Sequence, residues 1–293
     1  METTSAIVIL VAVVAGALAG GILAWSAAPD LDDPTVSRRT IRRLVAEHPL
    51  VRRAARTVPR RAGAALVEGV AFAAVVVTIS AVAIGVMLVM IRTNTGLARA
   101  DDPIADWAAG GATPGSTTVL RELSKFGGTA YVLIAAVGVT AYSWYRDRRW
   151  AVPLFVAVTM IGQFLVSNCI KWSVDRARPT ASNLTGFSGS SFPSGHAVAA
   201  AAAWTSVAFL LGRGRSRSLR AALFGVAVAL GVGVAGTRVA LGVHWTTDVV
   251  AGLVVGWSWF AACAILFGGR QLRTAEPMVL ARDRASPDPS TPV

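Results

Sequence analysis

Long apolar runs, each closed by a short cluster of charge, set the rhythm of this 293-residue chain. Charge-free stretches extend from Thr3 up to Asp30, and then over Gly69–Ile91, Phe126–Tyr145, Trp150–Ile170, Ala197–Gly212, Ala221–Thr237 and Val249–Gly269. Most reach the roughly 20 residues that a helix needs to cross about 30 Å of hydrocarbon. The two shorter ones adjoin Ser194-Gly195-His196 and Arg238, which can carry each helix into the interface. The pattern predicts seven membrane-spanning helices in an all-α, polytopic bundle. Composition agrees: 54% hydrophobic residues, 15% charged residues and a mean hydropathy of +0.57 exclude a large soluble domain.

Charge then orients the bundle. Segments 28–65, 146–150, 213–220 and 268–293 hold 20 of the 28 basic residues. They are alternate loops, so the excess of Lys and Arg in cytoplasmic loops predicts an N-terminus outside and a C-terminus inside. The net charge of +12 is therefore read as a topology signal and not as a nucleic-acid surface. Cys169 and Cys263 fall at different depths, which predicts two packed thiols and no disulfide.

The first apolar stretch reads as a retained anchor over residues 1–28, because Glu2 stands where a signal peptide carries a basic leader. Nine arginines between Arg38 and Arg61 fit either an amphipathic helix on the inner leaflet, broken at Pro49, or a solvated linker over residues 29–65. His48 in that segment reads as a surface histidine. Asp102-Pro103-Ile104-Ala105-Asp106-Trp107 predicts a short interfacial helix, and the Pro-, Ser- and Asp-rich tail within 269–293 predicts disorder.

Three polar islands interrupt the apolar pattern: Lys171-X6-Arg178-Pro179, Pro193-Ser194-Gly195-His196 and Arg238-X5-His244-X3-Asp248. Ionisable groups at a membrane edge are costly unless paired or wet, so an ordered set points to function. Phosphoryl transfer needs cations around the non-bridging oxygens, an in-line nucleophile and an acid for the leaving oxygen. His244 and Asp248 lie one helical turn apart, so the carboxylate can hold one ring N–H and leave the other nitrogen as nucleophile. His196, at the start of an apolar helix, can protonate the leaving oxygen, while Ser194 and Gly195 offer a hydroxyl and a close backbone approach. Lys171, Arg178 and Arg238 supply positive charge for phosphate binding. A serine nucleophile is disfavoured because Ser194 and His196, two positions apart, do not face each other on a helix. Asp175 and Arg176 are read as a local pair outside the site. No Cys, His and carboxylate set has zinc spacing, so the reading is metal: none and cofactors: none.

In order and spacing these motifs resemble the type 2 phosphatidic acid phosphatase superfamily of membrane lipid phosphatases, and the run His244-Trp245-Thr246-Thr247-Asp248-Val249-Val250-Ala251-Gly252 strengthens the likeness. The resemblance covers residues 66–268 and implies a six-helix phosphatase core, to which the first helix is extra. It implies a phosphohistidine on His244 oriented by Asp248, His196 as general acid, and phosphate held by Lys171, Arg178, Ser194, Gly195 and Arg238. Thr237 stands where the family commonly has serine. The expected function is hydrolysis of a lipid phosphate or diphosphate at the extracytoplasmic face, with undecaprenyl diphosphate favoured and phosphatidylglycerophosphate or phosphatidic acid as other candidates. Expected partners are that lipid substrate and membrane lipids, with no nucleic acid. Transfer of a phospho-headgroup to an alcohol, or a non-catalytic lipid or anion transporter, are the alternative classes.

Overall fold

The computed structural model describes residues 62–180 and 189–268, apart from the side chains of 62–69 and 71. The expectations for the first anchor, the arginine-rich segment with His48, and the tail lie outside these residues.

Among the described residues, eight α-helices follow in order: α1 (Ala62–Thr93), α2 (Asp101–Gly110), α3 (Pro114–Ser124), α4 (Thr129–Asp147), α5 (Ala151–Val174), α6 (Gly195–Gly212), α7 (Arg217–Ala240) and α8 (Thr246–Gly268). Two short 3-10 turns, Gly96–Ala100 and Lys125–Gly127, join α1 to α2 and α3 to α4. Five helices are long and apolar enough to cross a membrane, and α3 with α4, bent by 44°, makes a sixth. The six later predicted spans are thus helical, and the fold is an all-α membrane bundle.

Helix α6 is the central rod. Ala197, Ala200, Ala201 and Ala202 are fully buried along it, small enough for neighbours to come close on several sides. Without a hydrophobic drive between helices in lipid, such small residues set the packing distance. Helix α8 answers with Gly252 and Gly256, one turn apart. A Cβ on Gly252 would lie 2.7 Å from the Ser194 carbonyl oxygen, and one on Gly256 would lie 2.5 Å from that of Val198. The outer surface is the reverse: Ile79, Ile134, Val137, Ile161 and Phe164 are each 60% exposed or more, as lipid-facing side chains are. Trp172 at one end of the bundle and Tyr145 with Trp150 at the other mark aromatic girdles.

Short helix α2 forms where the Asp102–Trp107 pattern predicts it. It is more than an interfacial anchor, because Ile104 joins the core formed by α6, α7 and α8. Cys169 and Cys263 are free thiols; Cys263 is buried, but Cys169 is exposed, so only one of the two is packed as expected.

Candidate active site

The three islands meet at one end of the bundle because each lies where a helix begins or ends. Lys171 is in the last turn of α5, His196 in the first turn of α6 and Arg238 in the last turn of α7, while Asp248 opens α8. After α5 the chain turns sharply at Asp175, with φ of 43°, and crosses the bundle end. Backbone links tie the crossing segments together: Ser191 N–H donates to the Arg176 carbonyl at 2.7 Å, and Ser194 N–H donates to the Asp248 carbonyl at 3.0 Å.

His244 and Asp248 are 3% and 0% exposed. His244 Nδ1 lies 3.4 Å from Asp248 Oδ2, which also accepts the Trp245 backbone N–H at 3.0 Å. The other ring nitrogen, Nε2, lies 3.4 Å from Arg178 Nη1. Arg178 is itself fixed by donating to the carbonyl of Val243 at 2.7 Å and to that of Gly189 at 3.1 Å. Burial pushes His244 down to about 4, with Asp248 opposing that shift. That shift favours the neutral imidazole, whose second nitrogen keeps its lone pair.

Lys171 Nζ donates to the Ser190 carbonyl at 3.1 Å, and its Cε would lie 3.9 Å from a Cβ on Gly195. Ser194 Oγ is buried and has no hydrogen-bond partner among the described residues. Such a hydroxyl is costly unless something else bonds it. Arg238, 3% exposed, donates from Nη1 to Ser124 Oγ at 2.7 Å, and the charges of Arg238, Lys171 and Arg178 all bear on His196. The structure brings all eight sequence-assigned residues to this end of the bundle. Among the described residues, no group of three or more His, Cys, Asp or Glu has the arrangement of a metal site.

Four further residues complete the geometry. Arg176 does not pair with its neighbour Asp175, as the sequence reading has it. It donates from Nη1 to Asp248 Oδ1 at 2.6 Å and to Thr247 Oγ1 at 2.7 Å, and from Nη2 to Asp101 Oδ2 at 2.8 Å. The left-handed turn at Asp175 swings its backbone away, leaving Arg176 over the Trp245 ring at 5.4 Å. Asp101, buried at the start of α2, accepts from Thr247 N–H at 2.9 Å and from Thr247 Oγ1 at 2.6 Å. Ser124 is the fourth. Arg176 carries a sequence signal, as a third cation inside the first island. Asp101 lies 146 positions from Thr247 and only the fold brings it in.

The PAP2 superfamily matches residues 150–271, which hold all three islands. Lipid A 1-phosphatase of Rhizobium etli is 29% identical over 53% of this chain and 76% of its own length. Phosphatidylglycerophosphatase B of Bacillus subtilis is 28% identical over 58% of this chain and 84% of its own. Decaprenylphosphoryl-5-phosphoribose phosphatase of Mycobacterium tuberculosis is 34% identical over 54% of this chain and 84% of its own. Among solved structures, a transmembrane PAP2-type phosphatidylglycerolphosphate phosphatase from Bacillus subtilis superposes with a TM-score of 0.60 and 24% identity, over 68% of this chain and 98% of that one. Its fold is the fold seen here. With the motifs, the bundle and these relatives in agreement, the chain belongs to the PAP2 superfamily and is a multi-pass membrane lipid phosphatase.

Proposed function

We propose that this enzyme hydrolyses a lipid diphosphate or monophosphate through a phosphohistidine on His244, with polyprenyl diphosphates such as undecaprenyl diphosphate as the favoured class. The observation that carries the reading is the buried His244, with Nδ1 against Asp248 and Nε2 beside Arg178. In that setting Nε2 attacks phosphorus and forms a P–N bond. The P–O bond to the leaving group breaks, and His196 gives that oxygen its proton. Lys171, Arg178 and Arg238, with the Ser194 hydroxyl and the N–H groups that open α6 at Gly195, bind the non-bridging oxygens as charge builds on them. Positive charge developing on the His244 ring draws Nδ1–H toward Asp248, which Arg176 holds in place. Water then attacks phosphorus, His196 takes its proton, and the P–N bond breaks to release phosphate and restore His244.

The site end also fits an extracytoplasmic placement. Arginines at 146, 148, 149, 213 and 215 crowd the opposite end of the bundle, as cytoplasmic loops do. The relatives whose names specify lipid A, phosphatidylglycerophosphate and decaprenylphosphoryl-5-phosphoribose leave the lipid to be assigned by experiment.

Phosphate release by the purified protein, in detergent with chelator, tests the reading on undecaprenyl diphosphate, phosphatidylglycerophosphate and phosphatidic acid. The His244→Ala variant should elute as wild type on size exclusion and lose roughly 10⁴-fold or more in turnover. A rapid acid-free quench with radiolabelled substrate should trap label on the wild-type protein and not on this variant. Turnover by His244→Ala at the wild-type rate removes the phosphohistidine reading.

A further inference from the structure

The corner between α3 and α4 is pinned to the catalytic end at three points. Ser124 accepts from Arg238 at 2.7 Å, and the Phe126 carbonyl accepts from Trp204 Nε1 at 3.0 Å. Gly127 packs so closely on α6 that a Cβ there would lie 2.7 Å from the His196 carbonyl oxygen. The neighbouring cations Arg121 and Lys125 thereby share a cavity wall with His196. A cavity of about 370 Å³ lies at this corner, lined among others by Arg121, Ser124, Lys125, Tyr131, His196 and Arg238. His244, Lys171 and Arg178 are not in its wall.

That division has a chemical meaning. In-line displacement puts the nucleophile and the leaving oxygen on opposite sides of phosphorus. His244 stands on one side, and the cavity opens past His196, the residue assigned to the leaving oxygen. A diacylglycerol or prenyl alcohol departs through an uncharged hydroxyl and gains nothing from cations there. A leaving group that is itself a phosphate gains a great deal, since hydrogen bonds between charged partners are the strong ones. Glu122 now pairs with Lys125 at 2.5 Å, but both side chains are about half exposed, so this is a weak pair that an arriving phosphate can displace.

We infer that Arg121 and Lys125, with Arg238, form a second anion subsite that binds the phosphate of the leaving group, so that the enzyme selects lipid diphosphates over lipid monophosphates. The inference rests on the roles proposed for His244 and His196. In the step concerned, the bond from His244 Nε2 to the terminal phosphorus forms and the bond from that phosphorus to the bridging oxygen breaks. The bridging oxygen takes the proton from His196, and the lipid monophosphate departs into the subsite.

Two matched pairs test it: undecaprenyl diphosphate against undecaprenyl phosphate, and diacylglycerol diphosphate against phosphatidic acid. The readout is the ratio of kcat/KM for diphosphate to monophosphate. In the double variant Arg121→Gln, Lys125→Gln that ratio should fall about tenfold in both pairs. The charge-keeping double variant Arg121→Lys, Lys125→Arg should retain most of it. A ratio that stays within twofold of wild type in the glutamine variant overturns the subsite. A second measurement needs no variant: pyrophosphate should inhibit the wild type with a Ki about tenfold below that of inorganic phosphate, and equal Ki values overturn the subsite as well. Loss of the subsite leaves monophosphate turnover dependent on His244. Monophosphate turnover that survives His244→Ala instead removes the underlying function.

Discussion

The two histidines sit in opposite kinds of wall. Around His244 nearly everything polar is buried and matched: Asp248 accepts from Trp245 N–H and Arg176 and faces the His244 ring, while Asp101 accepts from Arg176 and from Thr247 twice. Around His196 the chain opens onto a cavity whose outlying cations, Arg121 and Lys125, are exposed. A buried carboxylate is tolerated only with partners, and once partnered it is stiff. The lesson is a division of labour. On the roles proposed for the two histidines, the attacking side is the fixed one, because a nucleophile works only within a narrow geometry, and the departing side is the open one.

The comparison breaks most visibly if the stiff wall is loosened without touching a group that meets substrate. Arg176→Gln takes one partner from Asp248 and one from Asp101. We expect kcat to fall about 100-fold, the cost of a small misplacement of the nucleophile, with KM moving far less. Arg176→Lys should recover part of the loss, since it restores charge without the fork that spans two carboxylates. Asp101→Asn acts through the same network. The double variant should therefore cost little more than Arg176→Gln alone, which a double-mutant cycle on kcat reads directly. Additive losses would mean that the two residues do not act through Asp248.

A smaller effect sharpens the comparison through pH. In the proposed mechanism His244 attacks as the neutral ring, and burial holds its folded-state value at about 4, below the ordinary 6.5. The ring stays neutral as pH falls through 6.5 and gains its proton only near 4, so the acid limb that it imposes on kcat/KM begins below about pH 5. Measuring kcat/KM from pH 4 to 8 on a monophosphate checks this. A limb centred near 6.5 that is due to His244 would mean that its wall is wet in the working enzyme.

Much of this was legible in the sequence, and the omissions have a common cause. The apolar runs marked the later spans because lipid-facing helices have no polar side to dilute the signal. The three islands were visible because each sets cations, histidine or carboxylate at a fixed spacing beside an apolar run. The kink between α3 and α4 leaves no mark in the pattern, since Gly127-Gly128 interrupts an apolar run that carries no charge. Arg176 stands beside Asp175 in the sequence, which suggests a pair that the turn at Asp175 prevents. Asp101 and Ser124 could not be assigned, because their partners Thr247 and Arg238 are more than a hundred positions away. Patterns report the exposure and period of a segment, whereas partnerships across the bundle depend on how helices dock.

The finest distinction lies within α8, between two glycines that do the same packing at different depths. A methyl group on Gly252 would meet the Ser194 carbonyl at 2.7 Å and Ala197 Cβ at 2.9 Å. Ser194 has little room to yield, because its N–H is bonded to the Asp248 carbonyl. One turn deeper, a methyl on Gly256 would meet Val198 O at 2.5 Å and Ala201 Cβ at 2.7 Å, which forces the same helices apart away from the first turn of α6. Both Gly→Ala variants should lose stability by roughly 1–3 kcal/mol, the usual cost of overpacking, read as a lower thermal midpoint in detergent. They should part in catalysis. Gly252→Ala displaces Ser194 and the start of α6, so kcat/KM should fall about tenfold, whereas Gly256→Ala should stay within about threefold of wild type. Equal losses in both would mean that the site depends on the overall closeness of α6 and α8 and not on the placement of one turn.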